Sequence, residues 1–230
     1  MRKFFGLFLI ISILGFLLVL SSLIYQDKVD SVKAGNESNL EGWAWSNMGS
    51  SAEPEGVGWV SFNDLNTTGS VIYGVNIEDG SGLLRGQAWS SNIGWINFQP
   101  NSGYPESPNQ NAYLNFIEGQ IQGWARAESY GGGWDGWIKM SGQTTGGTDY
   151  GVSIDSDGNL SGYAWGGDVV GWLDFSRVNI RAGECVYSEW EQIGCGQGSC
   201  RIDEMRSIRY GYPLDDCTDT TRCVRVIDCT

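Results

Sequence analysis

Histidine is absent from all 230 residues. Its absence removes imidazole acid–base catalysis, Ser–His and Cys–His nucleophile pairs, and histidine metal ligation. Positive charge is scarce as well: 14 Lys and Arg stand against 27 Asp and Glu, a formal charge of −13. That balance argues against nucleic acid and anionic membrane surfaces as partners. Proline occurs five times, and Pro100, Pro105 and Pro108 share one segment, Gln99 to Asn111, which reads as a loop. No cysteine precedes Cys185. Carboxylate-only catalysis needs two acids held at a set separation. Here the acidic residues are scattered over turns and change from repeat to repeat. The chain therefore reads as non-catalytic, with no cofactor and no metal site.

An apolar run does occur at the start. Phe4 to Ile24 is uncharged and 21 residues long, enough for a membrane-spanning helix, which takes about 20. Arg2 and Lys3 favour keeping the N-terminus inside. Val32-Lys33-Ala34 before Gly35 is compatible with signal cleavage. Residues 1–25 are thus read as a signal peptide or an N-terminal transmembrane helix that meets the lipid bilayer through residues 4–24, and either way the rest is exported. Residues 26–39, polar and without periodicity, read as a stalk. Six cysteines, at 185, 195, 200, 217, 223 and 229, imply a disulfide framework and an oxidising compartment. Six cysteines allow fifteen pairings.

Between them, residues 40–181 hold a repeat. Leu40-Glu-Gly-Trp-Ala-Trp45 is followed by Gly58-Trp-Val-Ser-Phe62, and Leu84-Arg-Gly-Gln-Ala-Trp89 by Gly94-Trp-Ile-Asn-Phe98. Ile121-Gln-Gly-Trp-Ala-Arg126 precedes Gly136-Trp-Ile-Lys-Met140, and Leu160-Ser-Gly-Tyr-Ala-Trp165 precedes Gly171-Trp-Leu-Asp-Phe175. Such a period marks one stacked supersecondary unit. Alternation and turn residues place three strands per unit: one over Tyr73–Ile77, Tyr113–Ile117 or Tyr150–Ile154, then the Gly-x-Ala strand, then the Gly-Trp strand. The first unit has no leading strand before Leu40, whereas Val178-Asn-Ile180 is left over after the fourth. That offset suits a closed ring. Within each unit Gly and Ala at matched positions suggest a shallow seat for bulky neighbours. Asp155-Ser-Asp-Gly-Asn159 has too few acids for a calcium loop and reads as a hairpin turn.

Period two puts Trp43, Trp45, Trp59, Trp89, Trp95, Trp124, Trp137, Trp165 and Trp172 on the face away from the aliphatic residues. Two readings follow. The indoles pack between repeats as core, or some of them line grooves in which sugar rings stack beside Asn97, Lys139 and Asp174. The third repeat departs most, with Arg126 in place of Trp and a longer turn through Trp134 and Asp135. Trp124, Arg126, Trp134, Asp135 and Trp137 are therefore the candidate ligand-binding residues.

The tail, 182–230, carries Trp190, Cys195-Gly-Gln-Gly198, Arg206 and the closing cysteines at 217, 223 and 229. It resembles a thrombospondin type 1 repeat in its short bacterial form. The resemblance implies three thin strands between disulfides, a cation–π layer of Trp190 and Arg206, with Tyr187 and Arg209 as a second, and a non-enzymatic module recognising glycans or proteins. A single Trp and the position of Cys200 depart from that pattern. The Gly-Trp-Ala-Trp array resembles repeats of uncharacterised surface proteins of candidate-phylum bacteria. The expected fold is all-β: four three-stranded antiparallel units closed as a propeller, prism or barrel, plus the disulfide-rich module. The expected function is adhesion or protein interaction at the cell surface, with other surface proteins or glycans as partners. A lectin-like carbohydrate-binding protein and a structural envelope or filament subunit are the alternatives.

Overall fold

A computed structural model of the chain describes residues 39–47, 56–66, 70–189, 191–194, 202–205, 209–211, 217 and 221–224. Residues 1–38 lie outside them, and with them the transmembrane and signal segment and nearly all of the stalk. Trp190, Arg206, Cys195, Cys200 and Cys229 lie outside too, as do the side chains of Arg209 and Cys223. Among the described residues no helix is long and apolar enough to cross a membrane.

The described chain is nearly all β. Its first strands are β1 (Leu40–Asn47), β2 (Gly58–Ser61), β3 (Val75–Ile77), β4 (Leu84–Ser90), β5 (Gly94–Asn97), β6 (Tyr113–Asn115) and β7 (Gln120–Gln122). Then come β8 (Trp124–Ala127), β9 (Trp137–Lys139), β10 (Ser141–Gln143), β11 (Asp149–Ile154), β12 (Leu160–Trp165), β13 (Trp172–Asp174) and β14 (Val178–Ile180). The tail adds β15 (Cys185–Tyr187), β16 (Glu191–Gly194), β17 (Ile202–Met205), β18 (Arg209–Gly211) and β19 (Thr221–Val224).

Each repeat contributes one hairpin, β1–β2, β4–β5, β8–β9 or β12–β13, and the hairpins pair edge to edge in chain order. The ring closes where β13 meets β1, with Trp45 opposite Asp174 and Ser46 opposite Leu173. The result is an eight-stranded antiparallel barrel, narrow enough for side chains to fill. Of the three closures the sequence allows, the barrel is the one formed.

Register explains the repeat. Across each hairpin a small residue faces a large one inside: Ala44 opposite Val60, Ala88 opposite Ile96, Ala125 opposite Ile138, Ala164 opposite Leu173. All eight are 2% exposed or less, and the pairing of small with large fills a narrow barrel without voids. Phe62, Phe98, Met140 and Phe175 form the next interior layer. The Phe62 ring lies 5.7 Å from Phe98 and 5.3 Å from Phe175. At the other end of each strand the leading aliphatic residue meets an outer strand. Leu84 faces Ile77 of β3, Ile121 faces Leu114 of β6, and Leu160 faces Ile154 of β11. Leu40 faces Ile180 of β14, so the leftover strand after repeat four completes repeat one.

The three-stranded units are therefore not flat sheets. The middle strand pairs with the outer strand through its first half and with the Gly-Trp strand through its second. The motif glycine marks the change of partner. Gly42, Gly86, Gly123 and Gly162 all have φ between +83° and +95°. A Cβ on them would lie 2.1–2.3 Å from the carbonyl oxygens of Arg177, Gly74, Asn111 and Gly151. Each glycine carbonyl in turn accepts the N–H of Phe62, Phe98, Met140 or Phe175 at 3.0–3.1 Å. These glycines are kept for backbone handedness and close approach, a correction to the reading that they seat bulky neighbours.

Two further departures have local causes. The strand expected over Tyr113–Ile117 ends at Asn115, because its Oδ1 accepts the N–H groups of Ile117 (3.1 Å) and Glu118 (3.2 Å) and turns the chain. Asn39 is buried and acts as a substitute strand partner: Nδ2 donates to the Ile77 carbonyl at 2.8 Å and Oδ1 accepts the Ile77 N–H at 2.7 Å. Residues 155–159 form the β11–β12 turn, with Asn159 bonded to the Asp155 carboxylate.

The tail packs on the outer-strand end. Val186 and Tyr210 join the barrel's apolar cluster. The Gly80 N–H donates to the Tyr187 carbonyl (2.8 Å), and the Tyr187 N–H to Asp79 Oδ1 (3.0 Å). The Tyr210 hydroxyl reaches the Phe116 carbonyl at 3.2 Å. A disulfide joins Cys185 to Cys217, and β16, β17 and β19 form a separate three-stranded sheet. In β15 and β18 the backbones of Tyr187 and Arg209 are register partners.

Candidate functional site

With the aliphatic residues inside, alternation turns every motif indole outward. Seven of the nine keep part of their surface in water, while Trp124 and Trp137 are buried. The indoles pair across their own hairpins on the barrel's outer surface. Trp45 packs against Trp59 (4.6 Å), Trp89 against Trp95 (4.5 Å) and Trp165 against Trp172 (4.7 Å), with ring planes inclined by 55–59° and each pair directly opposite in register. In the third repeat the Arg126 guanidinium takes that place, 4.7 Å from the Trp137 ring. Aromatic cross-strand pairs add roughly 0.5–1.5 kcal/mol each beyond their burial.

The structure gathers the sequence-predicted residues of the third repeat and buries Trp124 and Trp137 among them, while Arg126 and Trp134 are half-buried and Asp135 is exposed. Arg126 lies between Trp137 and Tyr130, 3.6 Å from the Tyr130 ring, and its Nε donates to the Asp135 carbonyl at 2.9 Å. Asp135 Oδ1 accepts the Trp137 N–H at 3.2 Å. Trp134 packs half-buried against the core, its indole N–H buried and without a partner among the described residues. The proline-containing loop 99–111 closes over the rest. The Tyr104 ring packs 5.2 Å from Trp137, tilted by 36°, Trp124 Nε1 donates to the Pro108 carbonyl at 3.0 Å, and Glu106 pairs with Lys139. Trp124 and Trp137 are left 6% and 5% exposed. A small pocket of about 240 Å³ reaches Arg126 beside Asn97, Pro100 and Glu128. Asn97 Oδ1 is taken up by the Gln99 N–H at 2.7 Å.

The open site lies at the seam. Where β13 meets β1, the outer faces of repeats four and one join under the overhanging β10–β11 hairpin, enclosing a cleft of about 510 Å³. Trp45, Tyr150, Tyr163 and Trp172 line it with Asp149 and Asp174. The Trp172 ring stands 79° to Tyr150 and 78° to Tyr163, at 4.9 and 6.3 Å, so the aromatic walls meet at right angles. Trp45 is 36% exposed and Tyr163 48%. Asp149 Oδ1 accepts from the Gln143 amide and Asp174 Oδ1 from the Ser176 N–H, both at 2.8 Å. The ion pairs among the described residues involve neither acid. Burial, and secondarily the charge of Glu106, raises the Tyr150 phenol above its ordinary pKa, so it stays neutral at pH 7.

Sequence reasoning placed Trp45, Trp172 and Asp174 on the outer face and did not bring them together. Residues 45 and 172 become neighbours only through ring closure, of which the displaced strand Val178–Ile180 was the one available sign. No protein-family model, curated protein or solved structure matches the chain. Among the described residues no group of His, Cys, Asp and Glu is arranged to hold a metal ion.

Proposed function

We propose that this chain is an exported, membrane-tethered, non-catalytic binding protein of a bacterial cell surface, and that it adheres by holding carbohydrate in the seam cleft. The observation that carries the reading is the cleft itself: accessible aromatic faces set at right angles beside hydrogen-bonding side chains. Flat apolar ring faces beside a few fixed polar groups are the elements a small-molecule site uses for orientation and specificity. The complete lack of histidine supports binding rather than catalysis. The N-terminal apolar segment and the Cys185–Cys217 disulfide support export. The thrombospondin-like tail offers a second contact, toward surface proteins or glycans.

Two of the eleven tryptophans, Trp45 and Trp172, line the cleft, so part of the indole emission reports on it. Titrating the full chain in detergent with a panel of oligosaccharides should give saturable quenching or a spectral shift, reduced in Trp45→Ala, with unfolding of the variant checked by circular dichroism since Trp45 also packs on Trp59. A flat response to every saccharide, with no retardation in gels containing soluble polysaccharide, would overturn the reading.

A further inference from the structure

The charge of the cleft narrows its ligand. We infer that the seam cleft takes an amino sugar, a saccharide carrying a free ammonium group, in preference to neutral or acidic sugars. The inference rests on the carbohydrate reading and refines it.

Two carboxylates, Asp149 and Asp174, line the cleft, and among the described residues no Lys or Arg does. Neither is engaged in an ion pair among the described residues, and their one shown bond each is to a neutral donor, the Gln143 amide and the Ser176 N–H. Arg177 sits over the Trp59 ring at 5.4 Å and is not part of the cleft lining. The remaining lining rings, Trp45, Tyr150, Tyr163 and Trp172, present electron-rich faces, and the mutually perpendicular walls at Trp172 let a single cation meet more than one of them. Negative charge and ring quadrupoles thus favour the same guest. A uronic or sialic acid would meet like charge. A neutral sugar could stack but would cover the two acids without a countercharge, a desolvation that an ammonium offsets. The volume of the cleft, about 510 Å³, exceeds what a bare ammonium fills and leaves room for the ring that carries it.

Three oligosaccharides of equal length and linkage separate charge from stacking: β-1,4-linked glucosamine, its N-acetylated form, and glucose. Calorimetric titration of the full chain in detergent should find the glucosamine oligomer bound at least roughly tenfold tighter than the other two, the advantage shrinking as salt is raised. Asp149→Asn and Asp174→Asn keep the hydrogen-bond acceptor and remove the charge. Each should cut the advantage several-fold, by weakening the glucosamine oligomer and by relieving the glucose oligomer of the cost of covering a carboxylate. Equal affinity for all three oligomers overturns the amino-sugar assignment and leaves the carbohydrate reading standing. A preference that survives in both Asn variants overturns it too, since the charge would then act from elsewhere. Choline competing as well as the glucosamine oligomer would reassign the cleft to small organic cations. Binding of none of the three removes the carbohydrate reading and the inference together.

Discussion

Repeats one and three share a motif and a backbone frame, yet expose their indoles in opposite degree. Trp59 is 42% exposed and Trp45 36%, while Trp124 and Trp137 keep 6% and 5%. The hairpins are equivalent: Trp45 faces Trp59 as Arg126 faces Trp137, and Ala44 faces Val60 as Ala125 faces Ile138. What differs is the cover. Loop 99–111 lays Tyr104, Glu106 and Pro108 over the third repeat, and no described segment covers Trp45 and Trp59 in that way. The lesson is that a repeat sets the direction of a side chain, and a connecting loop decides whether that direction ends in water or in protein. Functional surface on such a barrel is what the loops leave open.

The shared frame should fail first and equally in both repeats. Gly42→Ala and Gly123→Ala would each place a Cβ 2.1 and 2.3 Å from a backbone carbonyl in a left-handed conformation. We expect each to cost about 3 kcal/mol or more in urea unfolding. A tolerated Gly123→Ala beside a damaging Gly42→Ala would show that the two repeats differ in frame as well as in cover.

The cover should appear as a difference between matched tryptophans. Trp137→Ala removes a buried indole and should cost about 3–5 kcal/mol. Trp59→Ala, with nearly half its surface already in water, should cost no more than about 2 kcal/mol. Equal losses in thermal or urea unfolding would erase the distinction drawn here.

A turn outside both repeats supplies the smallest effect and a control. Glu78 accepts from the Ser81 hydroxyl and the Arg85 guanidinium, which hold its carboxyl below the ordinary range. The stabilisation is present above the unfolded carboxylate pKa, near 4.3, and disappears as pH falls through the lower folded value. Glu78→Gln should therefore lower stability at pH 7 by a few tenths of a kcal/mol, since both partners are well exposed. The difference from the parent should vanish in acid. A difference independent of pH would mean that shape, not charge, matters at this turn.

Much of the barrel was legible. Period-two alternation sorted Ala88, Ile96 and Phe98 from Trp89 and Trp95, and the displaced Val178–Ile180 pointed to closure. The glycine at Gly86 was misread, since a sequence shows a missing side chain and not the backbone angle that requires it. Asn115 ended its strand early through a side-chain bond that strand propensity does not register. The candidate site was legible in its members and not in its access. Trp124, Arg126 and Trp137 do converge, but the contacts that bury the two indoles come from loop 99–111, through Pro108 and Tyr104, residues with no motif of their own.

By itself the amino-acid order determined the inside and outside of every hairpin, because a strand's side chains alternate whatever surrounds it, and hydrophobic burial then selects one face. Only the tertiary structure decided which indoles meet water and which acids stand beside them. Trp45 and Trp172 lie 127 positions apart, and they line one cleft because the last barrel strand, β13, pairs with the first. That contact is a property of the closed ring, so no local stretch of sequence encodes it.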